Sequence, residues 1–153
     1  MDSSTYQIRQ MREADYEKVH ELWMSIHGFG IRSMDDSMEN IHRFIRRNPT
    51  TSIVACAGDK LVGAILCGHD GRRGCFYHVC VHEQYRKHGI GKAMVEMAIG
   101  ALKEEGINKV NLIAFENNEI GNRFWQDMGW TFRKDVNYYE SILNEKNITR
   151  FNP

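Results

Sequence analysis

The sequence predicts an α/β (α+β) chain: a mixed, largely antiparallel sheet of six to seven strands with helices on both faces. Three observations carry that expectation. Three apolar runs follow one another, separated only by the turn residues Gly58-Asp59-Lys60 and Asp70-Gly71-Arg72-Arg73-Gly74. Apolar stripes at helical spacing lie both before and after these runs. Strand and helix do not alternate throughout, as a doubly wound sheet requires.

In order, Tyr6 to Met11 alternates like a first strand, and Val19, Leu22, Trp23 and Ile26 stripe a helix from about Glu13 to Ile26. Gly28-Phe29-Gly30 reads as a flexible break. Met34, Met38, Ile41 and Ile45 mark a second helix, with Ser33 and Asp36 spaced like a capping box and Asn48-Pro49 ending it. Strands are expected at Ser52–Ala57, Leu61–Cys67 and Phe76–Val81. Ile90, Met94, Met97, Ala98, Ala101 and Leu102 make a third helix closed by Gly106. A strand at Val110–Phe115 and a helix through Ile120, Phe124, Trp125 and Met128, stopping at Gly129, come next. Thr131 to Leu143 offers one or two final strands before a polar tail from Asn144. The order is β-α-α-β-β-β-α-β-α-β, and one domain spans 1–153 with a core at about 5–143.

Charge sets further bounds. Twenty basic and twenty acidic residues balance, which argues against nucleic acid as a partner, because phosphate-driven binding needs a basic surplus. Cys56, Cys67, Cys75 and Cys80 lie in apolar runs without zinc-ligand spacing, so no metal is expected and buried free thiols are. Met1-Asp2-Ser3-Ser4 lacks the basic and apolar parts of a signal peptide, and no apolar run is long enough to cross a bilayer. The expected location is cytoplasmic, away from membranes.

The most informative stretch runs from Val79 to Ala93. A strand enters a short basic loop, Arg86-Lys87-His88-Gly89-Ile90-Gly91, and a helix follows. Spaced glycines let the backbone approach a ligand closely. The first amides of a helix have no internal partner and lie at the positive end of its dipole, which suits a phosphate or diphosphate. A P-loop fails here, since Arg86 stands where its first glycine belongs and Ala93 where its Ser/Thr belongs. A dinucleotide fingerprint fails too, with Met94 at its third glycine and Lys109 near its acidic position.

Arg86-x-x-Gly89-x-Gly91 resembles the (Q/R)-x-x-G-x-(G/A) motif of the GNAT superfamily of N-acetyltransferases. Val81-His82-Glu83 is similar to its V-x-P strand end, with Glu83 replacing proline. Asn118-x-x-Gly121-x-x-x-Trp125-x-x-x-Gly129-Trp130 resembles its second motif, and the Asp70–Gly74 turn that of some small bacterial members. The resemblance implies an enzyme that uses acetyl-CoA as cosubstrate and passes the acetyl group to a small-molecule or peptide amine. It also implies a homodimer as a common arrangement. The alternative is a non-catalytic acyl-CoA-binding or sensing module of the same fold.

By the same resemblance, the strand ending at Val81 splays from the next one. The main chain of Val79, Cys80 and Val81 would hold the pantetheine arm, and Asn118 would hold it from the other side. Arg86, Lys87, His88, Gly89, Ile90, Gly91 and Lys92 would surround the diphosphate. Trp125 occupies the place of the family's usual tyrosine acid, and an indole N–H cannot titrate. Tyr138 or Tyr139 are the candidates to replace it. An alkylamine with pKa near ~10.4 must lose a proton before it attacks. Histone acetyltransferases carry a glutamate base where this chain has Cys75, and ribosomal-protein alanine acetyltransferases where it has Ile113, so neither base is present. Strand alternation sets Cys75, Tyr77 and Val79 on one face and Phe76, His78 and Cys80 on the other. Tyr77 then lies on the face where relatives carry catalytic groups. His78 has the better chemistry for a base but is expected on the opposite face.

Overall fold

The computed structural model describes residues 5–153; Met1–Ser4, inspected above for a targeting signal, lie outside the described residues. In chain order the elements are β1 (Tyr6–Gln10), α1 (Tyr16–Ser25), β2 (Gly30–Arg32), α2 (Met38–Arg47), β3 (Ile53–Ala57), β4 (Lys60–His69), β5 (Gly74–Val81), α3 (Ile90–Glu104), β6 (Val110–Leu112), α4 (Glu119–Asp127) and β7 (Thr149–Phe151). Short 3-10 turns occupy Glu13–Asp15 and Glu83–Tyr85. Five strands form one sheet in the order β1-β3-β4-β5-β6, while β2 and β7 pair in a ladder of their own. Every neighbouring pair in the larger sheet is antiparallel except β5 with β6. Among the described residues, no helix is long and apolar enough to cross a membrane.

The chain divides into two compact units, one running to Leu112 and including Lys146–Pro153, the other Ile113–Glu145. In the first unit β4 is the central strand, and Leu61 through Gly68 are all buried because both its faces are covered. Val19, Leu22 and Trp23 of α1 and Ile41 and Ile45 of α2 pack with Val54, Ala64, Leu66 and Cys80 on one face. On the other face α3 buries Ile90, Met94, Val95, Ala98 and Leu102. Its approach is close: a Cβ at Gly63 would fall 2.8 Å from the Met94 methyl carbon, and one at Gly74 2.9 Å from a Leu102 methyl.

Helix ends follow their local chemistry. Ser37, not Ser33, caps α2 by accepting the Asn40 N–H at 3.2 Å. The Asp36 carboxylate serves the turn instead, accepting the Arg32 N–H at 2.7 Å. Gly106 (φ +76) and Gly129 (φ +85) leave α3 and α4 in the left-handed conformation that glycine adopts most easily.

The expected break at Gly28–Gly30 is partly strand. β2 pairs with β7, with Gly30 opposite Phe151 and Arg32 opposite Thr149. A side chain at Gly30 would collide with the Phe151 ring, 2.7 Å away. Asn152 then donates its amide to the carbonyls of Trp23 and Ile26, both at 2.8 Å. Asn147 accepts the N–H groups of Met34 and Asp35 at 3.1 Å. The segment after Asn144 thus straps the turns that flank α1 and α2. The strands expected between Thr131 and Leu143 do not form. That stretch is exposed throughout; within it Arg133 bonds Asp135 and Tyr138 bonds Glu140. Extended chain becomes strand only where a neighbour supplies the ladder.

One ion pair ties β1 to the start of α1. Burial alone would raise the Asp15 carboxyl, but the Arg9 guanidinium at 2.8 and 2.9 Å and the Arg12 N–H at 2.7 Å outweigh it and hold the group below the usual range. A carboxyl lowered in the folded state stabilises above its unfolded pKa, and that contribution is lost as pH falls through the folded value. Asp15→Asn is expected to reduce unfolding free energy by about 1–3 kcal/mol at pH 7. Urea denaturation of both proteins should show the gap closing below about pH 4.

Candidate active site

The amino end of α3 has the features that suit an anion. Its cap is Gly89 at φ +80, and no side chain caps the helix. The first intrahelical bond of this turn is Ala93 N–H to the Gly89 carbonyl at 3.1 Å, which leaves the amides of Ile90, Gly91 and Lys92 for an outside acceptor. Glu17, Glu39 and Glu119 stand in the first turns of α1, α2 and α4, whereas α3 has no acid there and carries Lys92. The positive end of this dipole is therefore reinforced rather than neutralised. Nothing lies within 4 Å of where a Gly89 Cβ would point, so the approach is open.

The loop before it is braced from within. Arg86 donates its Nε–H to the Val81 carbonyl at 3.1 Å, bridging the loop to the end of β5. His82 accepts the Gln84 N–H through Nδ1 at 3.1 Å. Its pKa is lowered by burial and by the charge of Lys60, so it adds no cation to the loop. Lys87 holds φ +68, and Lys87, His88 and Lys92 are exposed. Glu83, at the proline position of the motif, accepts the His27 N–H at 3.0 Å.

β5 supplies the second part. Its parallel pairing with β6 covers only Gly74–Phe76. The half of β5 holding Val79, Cys80 and Val81 pairs with β4 but has no ladder on the β6 side. The pairing with β4 also slips. Ala64 faces Cys80, yet Leu66 faces Tyr77, so His78 and Val79 together stand opposite Ile65. This is a β-bulge, and His78 sits in it at φ +49, a conformation uncommon outside glycine.

The bulge corrects the expected alternation. Gly74 faces α3 through Leu102, which puts Phe76 on that face and Cys75 and Tyr77 on the α1–α2 face. Beyond the bulge, His78 and Cys80 are also on the α1–α2 face. His78 packs 5.0 Å from the Trp23 ring and 4.9 Å from Phe29, and Cys80 joins the core of that side. Tyr77, half exposed and edge-on to Phe44, shares the face with His78. Sequence reasoning separated these two residues, because an inserted residue leaves no mark in an apolar run.

His78 has a partner that the sequence did not suggest. Its Nε2 lies 2.9 Å from Asp36 Oδ2, with side-chain exposures of 13% and 5%. Tyr16 donates its hydroxyl to the Asp36 carbonyl at 2.6 Å; burial, then the Asp36 charge, raises the Tyr16 pKa. Burial pushes the Cys80 thiol up to about 12, and raises Cys75 as well.

The second unit holds the remaining candidates. Asn118 caps α4, accepting the Gly121 N–H at 3.1 Å, and any side chain at Gly121 would strike the Asn118 amide. Trp125 packs against Phe124 and Trp130, with ring centroids 4.9 and 4.7 Å apart. Tyr138 donates to Glu140 at 3.0 Å.

Residues 7–130 match the family model described as Acetyltransferase (GNAT) family. An acetyltransferase of Sodalis glossinidius is 33% identical over 130 residues, 85% of this chain and 90% of that protein. Among solved structures, Ard1 from Thermoplasma volcanium superposes with a TM-score of 0.72 at 19% identity, covering 97% of this chain and 99% of that one. PaiA N-acetyltransferase from Thermoplasma acidophilum, solved in complex with coenzyme A, gives 0.68 at 19% identity over 80% of this chain and 87% of that one. With the family model matched over most of its sequence, the chain belongs to the GNAT family of N-acetyltransferases, which use acetyl-CoA as cosubstrate.

Proposed function

We propose that this chain moves the acetyl group of acetyl-CoA directly to a primary amine of a small molecule or peptide. The observation that carries the reading is the uncapped start of α3, acid-free and reinforced by Lys92, beside the half of β5 that lacks a second ladder. The amides of Ile90, Gly91 and Lys92 would take the diphosphate, with Arg86, Lys87 and His88 around it. The main chain of Val79, Cys80 and Val81 would receive the pantetheine arm as an added strand. Asn118 and Trp125 enter the cofactor set, and Tyr138 the catalytic set, on the family resemblance alone. Tyr77 and His78 enter as catalytic candidates on the face they share.

Direct attack is favoured over an acyl-enzyme because the thiols of β5 are held protonated by burial, and a neutral thiol is a poor nucleophile. The amine nitrogen adds to the thioester carbonyl, the C–S bond breaks, and the thiolate takes the electron pair. The family match runs across both compact units, which supports one catalytic domain. The four free cysteines suit a reducing, cytoplasmic compartment. Homodimerisation is proposed as the family's common arrangement.

Calorimetry with CoA tests the loop. Gly89→Glu places a carboxylate at the positive helix end and is expected to weaken CoA at least roughly tenfold. Gly89→Ala should cost about 1–2 kcal/mol of stability through its left-handed φ but leave the amides available. Unchanged CoA affinity in Gly89→Glu would overturn the assignment. Thiol release with a panel of amines tests turnover; CoA binding without release from any amine would favour the sensing alternative. Trp125→Tyr restores a titrating hydroxyl and should raise kcat, by up to about 10²-fold.

A further inference from the structure

We infer that His78 is the general base of the transfer and that Asp36 is the residue that positions it for that role. The inference rests on the acetyl-transfer reading above and assigns the proton that reading leaves unplaced. In the tautomer this role requires, His78 Nε2 donates to the Asp36 carboxylate and Nδ1 is left as the acceptor. Nδ1 has no hydrogen-bond partner among the described residues, while the side chain retains 13% exposure. An imidazole with one nitrogen fixed by a buried carboxylate and the other free is the arrangement of a proton acceptor.

Its place in the chain supports the role. The bulge puts His78 next in sequence to Val79, on the half of β5 that lacks a second ladder, and on the same face as Tyr77. A non-glycine residue at φ +49 is strained, and such conformations persist where the surroundings enforce them. Here the enforcement comes from Asp36, Trp23 and Phe29. The indole N–H of Trp23 is wholly buried beside the imidazole and meets no acceptor among the described residues.

The titratable groups around the pair are Tyr16 and His20 on α1, His42 on α2 and Tyr77 and Cys80 on β5; Arg32 contributes its main-chain N–H. None of them bonds Nδ1. In the step, Nδ1 takes a proton from the amine nitrogen as the C–N bond forms. The C–S bond then breaks, and the thiolate recovers that proton from the imidazolium directly or through water. The sum is amine plus acetyl-CoA giving amide plus CoA thiol.

His78→Asn is the discriminating variant, because asparagine tolerates the left-handed conformation and keeps the bulge while removing the base. With the amine that the wild type turns over fastest, kcat is expected to fall about 10²–10⁴-fold with CoA affinity unchanged. The acid limb of kcat/KM against pH should disappear, and added imidazole should restore part of the rate. Asp36→Asn keeps an oxygen for the Arg32 and His78 donors and removes only the charge, so kcat should fall roughly tenfold with the acid limb retained. A folded His78→Asn protein with wild-type kcat and pH profile would overturn this assignment and leave acetyl transfer standing. A wild type that binds CoA but acetylates no amine would sink both.

Discussion

β5 carries one residue more than β4 across the stretch where they pair, and the geometry of the candidate centre follows from that surplus. A regular strand would place His78 against α3, among apolar side chains that offer no partner. With the bulge, Tyr77 and His78 turn consecutively to the α1–α2 face, and the imidazole meets a carboxylate held by the turn before α2. The fold tolerates a left-handed histidine because a carboxylate and two aromatic rings fix its side chain. Bulges are known for re-aiming side chains beside active sites, and this one does so with a single inserted position.

The same strand separates two tasks. Its early part, paired on both sides, anchors the sheet between β4 and β6. Its later part has no ladder on the β6 side among the described residues and leads through the Arg86–Val81 bond to the uncapped start of α3, where the diphosphate is proposed to bind. The proposed cosubstrate contacts thus rely on backbone groups, whose positions depend little on side-chain identity. The proposed proton handling relies on side chains brought from elements far apart in sequence. This division accounts for a clear loop motif alongside proposed catalytic groups that match neither of the glutamate positions found in relatives.

Much of the architecture was legible. The hairpin turns, the stripes of α1, α3 and α4, and the glycines that end two helices are local signals, and local signals survive in a single sequence. The loop from Arg86 to Gly91 was equally plain as a strand-to-helix junction, with Gly89 capping α3. What escaped was non-local. Asp36 looked like the start of a helix because its spacing from Ser33 fits a cap, but its carboxylate is drawn to Arg32 and His78. β2 and β7 are three residues each and exist only through each other. The stretch from Thr131 to Leu143 has strand-like composition but no ladder. An inserted residue in an apolar run changes no composition and shifts no period that a short strand could reveal.

The strap formed by the segment after Asn144 has a consequence for how the centre is assembled. Its bond from Asn152 to Trp23 joins residues 129 positions apart, among the most distant contacts in the molecule. Closing so long a span costs entropy before any contact repays it, so such pairings form late. The sheet and the diphosphate loop can mature from contacts nearer in sequence. The wall containing Phe29 and Asp36 waits for residues made after everything else it touches. By this ordering, the proposed coenzyme cradle would be complete before the proposed catalytic wall.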